Sequence, residues 1–156
     1  SMKLVRAGQP GAKPAADLPH VPKVKAEIDL LPGQPEVISD LSHKRHMLFF
    51  WATWCVPCKS SIPELLAWSR QAGVQVIAVS DEDEATIGKF LASWTAPFPD
   101  LVASDELRRS HVSYGVSGTP TFVLVDEKGK IEWRQVGYSS KERLKIPGWS
   151  WSGAAQ

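Results

Sequence analysis

The sequence predicts an α/β protein: a three-layer sandwich with a central mixed β-sheet and helices on both faces. Three observations predict it. Residues 47–52 form a continuous apolar run with two phenylalanines and a tryptophan, as suits a central strand buried on both faces. A helix-compatible segment follows at 56–72, stopped by Gly73, and a second apolar run occupies 74–79. Residues 121–125 and 131–136 flank the turn Asp126-Glu127-Lys128-Gly129 and read as a β-hairpin. Strand–helix–strand, a further helix and then a hairpin can close only as a mixed sheet covered on both sides.

In chain order, residues 1–24 read as a Pro/Ala/Gly-rich linker. Pro10, Pro14, Pro19 and Pro22, with Gly8 and Gly11, show no periodicity and bury no core. The stretch is either a frayed terminus or a spacer tethering the domain to a membrane or a neighbour. The folded domain is expected over 25–146. It opens with short strands at 27–31 and 36–39 around Pro32-Gly33, an N-terminal β-hairpin extension. Within helix 56–72, Pro57 falls in the first turn, where a missing N–H costs little, and Pro63 falls inside, where a kink is expected. Residues 84–94 read as a second helix, with Ile87, Phe90 and Leu91 on one face. Residues 104–111 read as a short helix led by Asp105 and Glu106, and 141–145 as a last helix ended by Pro147. The tail, 147–156, carries Trp149 and Trp151, which either pack back or hang free.

The chain has 156 residues, enough for one domain with a real core. A formal charge of +1 gives no electrostatic footprint for nucleic acid. No apolar run approaches the roughly 18–20 residues of a membrane span, and no signal peptide is visible. Ser1 ahead of Met2 reads as a cloning scar, which leaves room for an original leader or anchor upstream.

Chemistry concentrates in Trp54-Cys55-Val56-Pro57-Cys58, which holds both cysteines of the chain. The pair sits between the first apolar run and the helix that follows. There the helix dipole stabilises a thiolate at Cys55. Cys58, one turn on, lies on the same face and can close a disulfide with it. A dithiol–disulfide centre with Cys55 at the exposed start is the reading these residues support. The acidic run Asp81-Glu82-Asp83-Glu84 reads as a helix N-terminus favoured by its dipole.

Two segments carry a resemblance: Phe50-Trp51-Ala52-Thr53-Trp54-Cys55-Val56-Pro57-Cys58-Lys59 and Tyr114-Gly115-Val116-Ser117-Gly118-Thr119-Pro120-Thr121. Over roughly 25–145 the chain resembles the thioredoxin superfamily, and within it the TlpA/ResA-like thiol–disulfide oxidoreductases of bacterial cell envelopes. The resemblance implies a thioredoxin-like sandwich with Cys55 as nucleophile and Cys58 as resolving cysteine. It implies substrate contacts by Trp54, Val56, Pro57, Thr119 and a cis-proline at Pro120. It further implies no cofactor and no metal, protein disulfides or thiols as substrates, and a membrane thiol–disulfide donor. A monomer that binds no nucleic acid is expected, in the periplasm or otherwise outside the cytoplasm and tethered through a segment absent here. A role like that in cytochrome c maturation fits the same family. Two positions depart from it: the buried acid six residues before Cys55 is Phe49, and the glutamate six residues after it is Ser61.

Two alternatives stand beside this reading. His43-x-x-His46 with Cys55-x-x-Cys58 makes a Cys2His2 metal set on paper. A strand over 47–52 separates its halves by about 20 Å, at about 3.3 Å per residue, which no single ion can bridge. The other alternative is a disulfide oxidant. Potentials in this superfamily run from about −270 mV for thioredoxin to about −120 mV for DsbA. Val56-Pro57 places no histidine between the cysteines, and Lys59 adds a solvent-screened charge. A modest lowering of the Cys55 pKa, and a reductant, are expected.

Overall fold

In the computed structural model, which describes residues 3–6, 20–21, 25–26 and 44–151, the strands are β1 (Lys3–Arg6), β2 (His20–Val21), β3 (Lys25–Ala26), β4 (His46–Phe50), β5 (Gln75–Ser80), β6 (Leu101–Ser104), β7 (Thr121–Val125) and β8 (Ile131–Val136). Three helices lie among them: α1 (Val56–Ala72), α2 (Glu84–Ser93) and α3 (Arg109–Ser113). The main sheet runs β1-β6-β5-β4-β7-β8, while β2 and β3 pair by themselves. Strands β4, β5 and β6 are parallel; β1, β7 and β8 run against their neighbours. The sheet is mixed, as the order of elements requires.

Strand β4 sits inside the sheet with every residue buried, which is why its sequence is apolar without alternation. Met47, Phe49, Val76, Ala78, Phe122 and Leu124 point to one face and form a single core with Ile62 and Leu65 of α1 and Ile87 and Leu91 of α2. Phe50 points the other way, onto His111 of α3 and onto Tyr114 just beyond it. Helices therefore cover both faces. Helix α1 ends where Gly73 takes a left-handed conformation (φ 66°), and its N–H closes the last turn on Ser69 O.

Several expectations are corrected. Lys3–Arg6, within the stretch read as linker, pairs with β6 as an edge strand of the main sheet. His20–Val21 and Lys25–Ala26 pair with each other, and the expected strands at 27–31 and 36–39 lie outside the described residues. The helix expected over 104–111 begins at Arg109 instead. Ser104 closes β6, and the buried Asp105 carboxylate accepts from the His111 N–H at 2.9 Å and contacts its Nδ1 at 2.8 Å. No helix forms at 141–145: Arg143 takes φ 64°, and the Leu144 N–H goes to the Glu64 carboxylate at 3.2 Å.

Candidate active site

Strands β4 and β5 end side by side, and so does the start of β7, because the register pairs Phe50 with Val79 and with Thr121. The turn into α1 and the segment before β7 consequently leave the sheet at the same end. Trp51 extends the ladder by one bond, its N–H donating to Val79 O at 3.0 Å. The Cys55 N–H then donates to Ala52 O at 3.1 Å and closes the turn. Cys55 is the N-cap of α1, in extended conformation, with Pro57 in the first turn. Its sulfur is bonded to that of Cys58, with the two Cα atoms 5.2 Å apart. The Cys58 N–H donates to Cys55 Sγ at 3.2 Å. A helix start leaves such N–H groups without backbone partners, so the sulfur at the cap receives both a hydrogen bond and the positive end of the dipole.

The sulfurs are less accessible than the sequence suggests. In the disulfide form Cys55 is 2% exposed and Cys58 0%, while Trp54 is 73% and Val56 67% exposed. The expected exposure of Cys55 is thus corrected for this state. Trp54, Val56 and Pro57 form an exposed apolar rim beside the buried disulfide. The Thr119–Pro120 bond is cis. Thr119 is half-buried and Pro120 buried; the Pro120 carbonyl accepts from the N–H of Gly137, the residue after β8, at 2.8 Å.

Phe49 stacks on Phe122 with ring centroids 5.4 Å apart, filling the family's acid position with hydrocarbon. Ser61 is fully buried, and its hydroxyl donates to Cys58 O at 2.7 Å. Lys59 places its ammonium over the Phe90 ring, 5.7 Å from the centroid. The Cys2His2 set is not assembled: His46 opens β4 and directs Nδ1 to Lys44 O, while the cysteines lie beyond the strand's other end. His43 lies outside the described residues.

Two carboxylates escaped the sequence reading. Glu82 accepts both the N–H and the hydroxyl of Thr53, at 2.9 and 2.6 Å. Glu64, on α1, accepts from Tyr138, Trp149 and Leu144. The acidic run was a signal for the first; nothing local marks the second. The Tyr114 hydroxyl, shut into the core behind Phe50, has its pKa raised by burial.

Residues 16–148 match the Redoxin family. A thiol–disulfide oxidoreductase ResA of Bacillus thuringiensis is 34% identical over 119 residues, 74% of this chain and 68% of the relative. A solved structure from Chlorobium tepidum, described as a thiol:disulfide interchange protein DsbE, is 36% identical with a TM-score of 0.57, covering 67% of this chain and 75% of that one. The exposed lipoprotein thioredoxin Etrx1 of Streptococcus pneumoniae is 26% identical at a TM-score of 0.57, covering 67% of this chain and 82% of its own.

Proposed function

The chain belongs to the Redoxin family and is a thiol–disulfide oxidoreductase, and on that premise we propose that it reduces disulfides of partner proteins outside the cytoplasm. One observation carries the assignment of roles: the Cys58 N–H donates to Cys55 Sγ at the start of α1. Between the two sulfurs, only Cys55 stands at the cap, so Cys55 is the thiolate that attacks. Its attack on a partner disulfide forms the Cys55–partner bond and releases one partner thiolate. The Cys58 thiolate then attacks Cys55 Sγ, forms the intramolecular disulfide and releases the second partner thiolate. Two electrons pass to the partner, and its two sulfurs take up protons. A membrane thiol donor returns two electrons and resets the pair.

The apolar rim at Trp54, Val56 and Pro57 suits an extended polypeptide, with Thr119 and Pro120 as its backbone edge. The reductive direction rests on the Val56-Pro57 dipeptide, which brings no histidine to stabilise the thiolate. The extracytoplasmic setting rests on relatives such as the pneumococcal exposed lipoprotein. The reduced Cys58→Ser protein should trap a disulfide-containing peptide as a mixed disulfide through Cys55, and Cys55→Ser should not. Equilibration with a dithiothreitol series should give a potential nearer about −270 mV than about −120 mV. Trapping by Cys55→Ser would reverse the roles, and a potential near the upper value would reverse the direction.

A further inference from the structure

The run Asp81-Glu82-Asp83-Glu84 starts where β5 ends, and its members do different work. Asp83 caps α2: its carboxylate accepts from the Thr86 N–H at 2.7 Å, and that bond holds its pKa below the usual value. Asp81 pairs with Arg108. Glu82 turns back to the redox turn. Its Oε1 accepts from the Thr53 N–H at 2.9 Å and the Ser80 hydroxyl at 2.7 Å, and its Oε2 from the Thr53 hydroxyl at 2.6 Å. The Glu82 backbone is itself held, its N–H by Ser80 Oγ at 3.1 Å and its carbonyl by the Ser104 hydroxyl at 2.5 Å. Thr53 lies inside the turn that the Cys55 N–H closes on Ala52 O.

We propose that Glu82 is a positioning residue of the redox reaction, clasping the turn so that Cys55 Sγ stays on the Cys58 N–H, and biasing the pair towards its disulfide by its charge. The inference rests on the assignment of Cys55 as nucleophile made above. The clasp is bidentate on one residue and anchored on two strands, so a shift of the turn breaks both Thr53 hydrogen bonds. All three donors are uncharged, so the carboxylate's charge is not cancelled by the groups that hold it. A negative charge held on Thr53, two residues before Cys55, disfavours the Cys55 thiolate. The disulfide carries no charge and is untouched, so the oxidised form gains. A protein that prefers its own disulfide gives up electrons readily. The other charged groups on the adjoining elements are Lys59, Glu64 and Arg70 on α1, Asp81 with Arg108, Asp83, and Glu84 and Lys89 on α2; they stay in place in every variant below.

Glu82→Gln separates the two effects. Its amide oxygen can accept from Thr53 N–H and Ser80, and its NH2 can donate to a rotated Thr53 hydroxyl, so the clasp survives without the charge. The alkylation pH profile of Cys55 should move to lower pH, and the exchange equilibrium with glutathione should move about fivefold towards the dithiol. Thr53→Val keeps the charge and loses the hydroxyl donor. It should slow disulfide exchange severalfold without that shift of equilibrium. Glu82→Ala, checked for a native fold, should show both effects. An unchanged or raised Cys55 profile in Glu82→Gln, or wild-type exchange rates in Thr53→Val and Glu82→Ala, overturns the assignment. If the wild-type protein fails to reduce partner disulfides, the proposed direction falls, whereas the Glu82 assignment is read from differences between variants.

Discussion

Helix α1 is held by carboxylates at two places, and comparing them separates what the fold needs from what the chemistry needs. Glu64 lies on the helix itself and is 1% exposed. It takes the Tyr138 hydroxyl at 2.8 Å, the Trp149 Nε1–H at 2.9 Å and the Leu144 N–H at 3.2 Å, all from the C-terminal segment. Glu82 lies at a strand end, half-buried, and takes its donors from Thr53 and Ser80 next to the redox turn. Both carboxylates rest on uncharged donors alone in these bonds. One ties the C-terminal segment to the core; the other ties the redox turn to the sheet. The same hydrogen-bonding device therefore serves anchoring in one region and positioning in the other, according to what the tethered segment carries.

The largest effect that sharpens this contrast is Glu64→Ala. It leaves the buried Leu144 N–H and the part-buried Tyr138 hydroxyl and Trp149 Nε1–H without an acceptor; a buried donor costs about 1–3 kcal/mol and a part-buried one less, so a loss of about 2–4 kcal/mol is expected. Urea unfolding measures it. The exchange equilibrium with glutathione should stay at the wild-type value wherever the variant is folded. A large shift in that equilibrium with little loss of stability would erase the difference between the two regions. Trp149→Phe is a smaller version of the same test. It keeps an aromatic ring against the core and removes one donor from Glu64, for a loss of about 1 kcal/mol. A variant as stable as the wild type would mean that the tail is not anchored through this bond.

The elements legible in the sequence are those whose pattern is set by burial along one segment. Strands β4, β7 and β8 and helix α1 follow from apolar runs, a turn at Asp126–Gly129 and a glycine stop, and they lie where these place them. Strand β6 is four residues long and ends in the buried polar pair Ser104 and Asp105, so it leaves no periodic trace. Residues 141–145 have a helical composition, but Glu64, distant in sequence, takes the Leu144 N–H and a helix does not form. The redox pair is legible because spacing and a helix start suffice to define it. Glu82 is not, because its partner Thr53 is 29 residues away and the acidic run already has a local explanation in the cap of α2.

The smallest effect concerns alkaline pH and probes the Glu64 side alone. Tyr138 has its pKa pushed up from 10.0 to about 12, first by burial and then by its hydrogen bond to, and the charge of, Glu64. The folded state therefore favours the neutral phenol. That preference stabilises the protein in full below pH 10 and is lost as pH rises from there to about 12, because the unfolded chain releases the proton first. Tyr138→Phe lacks this contribution, so the stability gap between wild type and variant should narrow as pH rises through that window. Tyr114, raised by burial in both proteins, gives a slope of the same sign that cancels in the comparison. Urea midpoints of the two proteins across the range provide the measurement. A gap that stays constant would detach Tyr138 from Glu64 and leave the anchor with two donors, while the redox side of the comparison would stand unchanged.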